Sequence, residues 1–306
     1  MDYYMLGESI IQRAREVRRQ ERLLDQMDSC NGEELVAILV SLNAVPDVDM
    51  NSLMDSGIGR KVRRGMNDNQ QNQRLQLESL RLLTTLTNSG GNRGRLMELG
   101  FAETVLKAMD DHYTNADIQE YACEVLSNLA AERDFADELN GMQAGERVLR
   151  AMDNFERNAQ VQETGCAAFW NLAGITRNKI LLNRLDPASR ILRAIDLHMD
   201  NPGVLGYACG SIATLASHDD IGLLLMRKDA GSKVLLAMDR HPTDSFLQEC
   251  ACKALARLAR THVNRLSLLN LDAISRIDRA RETFQNNSKL TLYVQKAKRR
   301  IFYAVN

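Results

Sequence analysis

Cys166 stands three residues after Glu163 and four before Trp170, the chain's one tryptophan. A thiol, a carboxylate and an indole so close together could line a nucleophilic site. The cysteine is not alone, however. Cys123, Cys166, Cys209 and Cys252 recur every 43 residues, and Leu80 holds the same place one period earlier. A position that accepts Leu or Cys is a packing position. Cys250 and Cys252 are two apart on a helix and point away from each other. Stacked helices lie ~10 Å apart, beyond disulfide reach. No cysteine has zinc-ligand spacing.

The other reactive residue types fall into columns too. His112, His198 and His241 share one, with Phe155 in the copy between them. A histidine near a helix C-terminus is favoured by the dipole. Asp110, Asp153, Asp196 and Asp239 share another, inside a repeated AMD or AID. An acid late in a helix opposes the dipole, so its recurrence predicts bonds to loop amides or to an arginine of the adjacent unit. The stretch NSGGNRGR, 88–95, lacks the lysine and order of a phosphate-binding loop, and no strand precedes it. No Ser-His-Asp, Cys-His or paired-carboxylate set stands outside the columns. The reading is therefore no catalytic site, no metal and no cofactor.

The columns arise from a repeat. VLKAMDDH at Val105, VLRAMDNF at Val148, ILRAIDLH at Ile191 and VLLAMDRH at Val234 begin 43 residues apart without an insertion. Asn72, Asn115, Asn158, Asn201, Asp244 and Asn287 form a column of good helix N-caps, and Pro202 after Asn201 suits a first helical position. Ile118, Ala122, Val125, Leu126 and Leu129 then give the apolar face of a helix. Each unit reads as a short helix, a middle helix and a longer third helix. One unit cannot bury its apolar face alone, so the copies must stack on a shared core. Six copies over 51–306 form one continuous array, and 1–50, with the helical stretch 32–45, forms an N-terminal helical cap.

A 43-residue three-helix unit containing VQETGCAAFWNLA, IQEYACEVLSNLA and LQECACKALARLA resembles the armadillo repeat. The resemblance implies an all-α fold, a right-handed α-solenoid. The glycine that the family places before the middle helix stands at Gly57 and Gly100. It is replaced by Gln143, Asp186, Asp229 and Asp272, so a different turn is expected in those copies. The spelling AM..H..N..VQ is also similar to armadillo segments of leucine-rich-repeat kinases and large protist proteins.

In the family the third helix lines a concave groove, and that implies where a partner binds. The polar, variable positions opposite the apolar columns include the triples Glu78, Arg81, Thr85 and Cys250, Lys253, Arg257. The expected partner-binding residues are Tyr121, Glu124, Asn128, Trp170, Asn171, Tyr207, Thr214, Lys253 and Arg257. Asn128 and Asn171 fall where the family often carries an asparagine that bonds a peptide backbone; an amide both donates and accepts. Trp170 sits in a column of small residues. It reads either as an anchor for a partner or as filler against the next repeat. Ala167 and Gly210 are expected to leave the groove floor open. An extended or helical partner is expected, apolar over Trp170 and acidic towards Arg257. Nuclear-import receptors of the family carry a tryptophan four residues before the groove asparagine; Glu124 and Ala167 stand there, which argues against that activity. The mixed charge also departs from a β-catenin-type groove.

The totals bound the rest. Net charge is −1, 26% of residues are charged and 44% hydrophobic, with four prolines. The charge balance gives no argument for nucleic acid. The basic runs 13–22 and 296–300 read as solvated helix faces. No run is long and apolar enough for a membrane span and no signal peptide is recognisable. A cytoplasmic chain is expected, with the nucleus left open as a second compartment. The functional reading is a protein-binding scaffold or adaptor. The alternatives are a structural subunit of a cytoskeletal or ciliary assembly, or the targeting region of an enzyme whose catalytic domain lies elsewhere. Oligomeric state is not readable.

Overall fold

The computed structural model describes residues 22–45 and 49–302. Most of the basic run 13–22 and the start of the expected cap lie outside the described residues. The chain divides into two compact units, Met1–His112 and Tyr113–Asn306.

The first unit carries the helix Gly32–Asn43, then Met50–Asp55, Ile58–Asp68 and Gln73–Asn88, then Gly90–Glu98 and Phe101–Asp111. Gly32–Asn43 begins with a reciprocal cap: Asn31 accepts from the amides of Glu33 and Glu34, and Glu34 accepts from the amide of Asn31. This helix packs against Gln73–Asn88. The second unit opens with the third helix Ala116–Leu129. Three complete triplets follow it, ending in the third helices Ala159–Leu172, Pro202–Leu215 and Ser245–Leu258. A last triplet ends in Ser288–Phe302. Each third helix of this unit packs against the next. Among the described residues the helix order is consistent with the three-helix unit that the 43-residue period predicts.

The columns explain the local structure. Asn72, Asn115, Asn158, Asn201, Asp244 and Asn287 each accept a hydrogen bond from the backbone amide three residues on, at 2.8–3.1 Å. Each such cap is worth about 1 kcal/mol. Cys123, Cys166, Cys209 and Cys252 are all fully buried in the seam between third helices. Burial pushes the thiols of Cys123, Cys166 and Cys252 up to about 12, which removes the thiolate that chemistry would need.

The turn before the middle helix corrects one expectation. Gly57 and Gly100 have φ of 85° and 71°, and Gln143, Asp186, Asp229 and Asp272 have 62°, 49°, 67° and 54°. The turn is the same left-handed turn in all six copies. Aspartate tolerates this region better than most residues. Local bonds also hold it: Arg147 donates to the carbonyls of Met142 and Gln143, and Arg276 to those of Leu271 and Asp272.

The aspartate and histidine columns are staples between copies. Asp153 accepts from Arg190 at 2.9 Å, Asp196 pairs with Lys233, and Asp239 pairs with Arg276 and Arg279. The acid and base are 37 residues apart in three of these pairs, one middle helix to the next. His112 lies 2.7 Å from the Gln70 carbonyl, His198 2.7 Å from that of Glu156, and His241 2.8 Å from that of Met199, always through Nε2. A ring nitrogen facing a carbonyl must carry the proton. A further column went unread in the sequence. Gln76, Gln162 and Gln248 are buried, and each Nε2 donates to two carbonyls at the end of the preceding middle helix. The glutamine covers acceptors that the helix end leaves open.

Candidate functional site

The third helices of the second unit present one continuous face, and the nine residues singled out above all lie on it. Each is half-buried. The centre is aromatic. Trp170 meets Tyr207 of the next copy edge-on, with ring centroids 6.2 Å apart, and Tyr207 meets Phe246 of the copy after that at 5.0 Å. Two glycines make room. A Cβ on Gly210 would come 2.4 Å from the Trp170 ring, and one on Gly206 would come 2.6 Å from Phe246. Trp170 therefore fills the space over Gly210, and the floor expected to be open there is covered. The indole packs against the next repeat and still keeps a half-exposed surface.

Lys253 places its ammonium 4.7 Å from the Trp170 ring centroid and 5.9 Å from that of Tyr293. A cation over an indole face is attracted by the ring quadrupole, by about 0.5–1 kcal/mol at a partly exposed site. Burial holds this ammonium below the usual lysine range, and Arg257 adds to the effect. Phe246 and Tyr293 were missed in the sequence. Gly203 holds the Phe246 position one period earlier, so no repeated aromatic marks Phe246, whereas Tyr293 shares its column with Tyr121 and Tyr207, and that recurrence was the signal that could have found it.

Charge is unequal along the face. On one side of the aromatic run are Glu124 and Glu163. Burial raises both carboxyls above their usual range, and the Glu163 charge raises Glu124 further. The Glu163 carboxylate rests against Gly203, where a Cβ would meet it at 2.4 Å. On the other side are Lys253 and Arg257.

The asparagine expectation needs correcting. Asn171 donates through Nδ2 to the Ser127 carbonyl at 2.9 Å and to the Ser127 hydroxyl at 3.2 Å. Its amide nitrogen ties two third helices together and is already spent on the fold. Two positions expected at the surface are buried as well. Cys250 is 2% exposed, because it faces the neighbouring third helix. Glu78 is 7% exposed, and it accepts from Asn43 and Arg81. In the run 296–300, Lys298 pairs with Asp278 at 2.6 Å and Arg300 donates to the Ala256 carbonyl. That end is partly committed to structure.

Among the described residues no group of His, Cys, Asp or Glu could hold a metal ion. No described helix is long and apolar enough to cross a membrane. The repeat arrangement has a counterpart among known families. The family model of the LRRK2 ARM repeat matches residues 25–186 and again 140–297. The chain belongs to the LRRK2 ARM repeat family. Its armadillo fold also matches solved structures. One engineered protein superposes with a TM-score of 0.76 at 17% identity, covering 92% of this chain and 68% of that one. A second engineered protein gives 0.69 at 16%, covering 81% and 98%. A chain from a study of a phosphorylation switch in the interaction between cadherin and β-catenin gives 0.77 at 15%, covering 95% and 61%. These likenesses establish an α-solenoid fold for the armadillo chain. No curated protein sequence matches it.

Proposed function

We propose that this armadillo chain is a non-enzymatic scaffold or adaptor, and that the third-helix face of its second unit takes an extended or helical segment of a protein partner. The observation that carries the reading is the Trp170–Tyr207–Phe246 run. It spans three successive copies, is half-exposed or exposed, and is braced by Lys253. Rigid aromatic anchors of this kind concentrate binding energy. The fold adds support, since armadillo arrays commonly bind protein partners. Tyr121, Glu124, Asn128 and Thr214 would border the segment, and Arg257 would meet its acidic end.

The test is quantitative capture of partners from source-cell lysate by the wild type and by Trp170→Ala and Tyr207→Ala variants, each checked for native helix content. Asn171 is left intact because it bonds Ser127. Proteins lost in both variants are the expected result. An unchanged set of captured proteins refutes the reading.

The family match supports one second reading. The array would be the targeting or regulatory region of an enzyme whose catalytic domain lies outside this chain. It predicts a native polypeptide longer than 306 residues, and intact-mass measurement of the endogenous protein decides it.

A further inference from the structure

Past the aromatic run, where three third helices end, positive charge gathers without an equal negative charge. Arg257 is in the last turn of Ser245–Leu258, and Arg300 follows it by one period on Ser288–Phe302. Lys179 comes from the first helix Thr176–Asn183 and Arg260 from the turn after Ser245–Leu258. Lys179 is 5% exposed, and its ammonium donates to the Ser217 hydroxyl, which in turn donates to the Thr214 carbonyl at 2.7 Å. Arg300 spends one nitrogen on the Ala256 carbonyl, and Arg257 makes no side-chain hydrogen bond among the described residues. Asp219 is the carboxylate here, and Arg260 already holds it. Lys179, Arg257 and Arg300 have no carboxylate partner among the described residues.

Buried charges are normally paired, because leaving water is costly. Helix C-termini explain part of the arrangement. Each end carries about half a negative charge, and Lys179 and Arg300 both lie against one. That leaves most of three full charges uncompensated. The crowding is felt: burial and then the charges of Arg257 and Arg260 hold Lys179 below the usual lysine range, and the same causes lower Arg300. The imidazole Nδ1 of His218, beside Ser217 in the chain, is also buried without a partner. A single carboxylate would answer one of the three charges. A phosphate monoester carries about two negative charges at pH 7 and three acceptor oxygens, and guanidinium forks match it bidentately. Consecutive third helices lie ~10 Å apart, so two arginine side chains one period apart can reach one such group.

We infer that this cluster docks a phosphate monoester carried on the partner's segment, held by Arg257 and Arg300 with the buried charge of Lys179 strengthening the field. The inference rests on the third-helix face being the partner surface, and it adds the chemistry of one end of the partner. The segment then runs from the aromatic anchors at Trp170 to a phosphorylated serine or threonine at Arg257.

The probes are three fluorescent degenerate peptide pools with serine, glutamate or phosphoserine fixed at the centre, read by anisotropy at constant ionic strength. The wild type is expected to bind the phosphoserine pool at least ten-fold tighter than either other pool. Arg257→Gln/Arg300→Gln is expected to lose that preference, and Lys179→Met to reduce it several-fold. The charge-matched control Arg227→Gln/Arg281→Gln, on exposed positions elsewhere, keeps it. Equal binding of the three pools overturns the inference, as does an equal loss in the control. The scaffold reading is separated by treating the lysate with phosphatase. Partners that still depend on Trp170 after dephosphorylation leave the face in place and remove the phosphate from it.

Discussion

Gly210→Ala tests the aromatic packing through the sign of its effect. In the middle of a helix this substitution ordinarily stabilises by about 1 kcal/mol, because alanine has less backbone freedom to lose. Here the new methyl would stand 2.4, 2.5 and 2.7 Å from three atoms of the Trp170 ring. No side chain tolerates such contacts, so the indole must move. Overpacking of this kind costs about 1–3 kcal/mol. The indole would also leave its edge contact with Tyr207 and its place under Lys253, each worth about 0.5–1 kcal/mol. The net expectation is a loss of about 1–3 kcal/mol where a gain is the rule.

The cycle with Trp170→Ala isolates the cause. With the ring gone, Gly210→Ala should recover its ordinary gain of about 1 kcal/mol. The coupling between the two substitutions is then about 2–4 kcal/mol. Urea unfolding followed by circular dichroism supplies the stabilities. Since Trp170 is the chain's one tryptophan, its emission separately reports the displacement as a red shift and easier acrylamide quenching. A Gly210→Ala protein that is more stable than the wild type, with unchanged emission, would show that the ring does not lie over Gly210. The argument for an anchored aromatic run would fall with it.

Further outcomes follow from the columns. Gln162→Leu leaves the Met152 and Phe155 carbonyls without the Nε2 donor and should cost about 1–3 kcal/mol in urea unfolding. The next copy already carries Leu205 there, so the size of the effect measures the donor and not the shape. Glu163→Gln should raise the melting temperature at pH 7 and lose that advantage near pH 4. Its carboxyl is raised in the folded protein by burial, so the folded state favours the protonated form and stability falls as pH rises past the unfolded value. An equal effect at both pH values would refute the assignment. The left-handed turns predict opposite signs: Gly100→Ala should destabilise by about 1 kcal/mol, and Gln143→Gly should be neutral or stabilising. Melting temperatures of the two variants decide it.

The period made the architecture readable because packing imposes it at every copy. Asn158 must cap, Cys166 must fit the seam and Asp153 must meet Arg190, so the same residue types return 43 positions later. What a period cannot carry is a contact made once. Trp170 was visible as an outlier, but the glycine beneath it, Gly210, lies three positions out of phase with the Trp170 column and does not repeat as a type, and the ammonium over it comes from Lys253 two copies on. Nor does polarity settle exposure. Asn171 was read as open to a ligand because it falls where the family often carries a peptide-binding asparagine, yet a stacked helix offers carbonyls of its own, and Ser127 takes the amide. The left-handed turn shows the converse. Loss of glycine at Gln143 looked like loss of the turn, whereas the register of the helices on either side enforces the backbone and the side chain bears a strain of order 1 kcal/mol. Residues that stack copies are thus legible by recurrence, and residues that distinguish one copy from the next become legible only once the neighbours are placed. Those second residues form the aromatic run and the basic end, which is where the proposed function would place selectivity between partners.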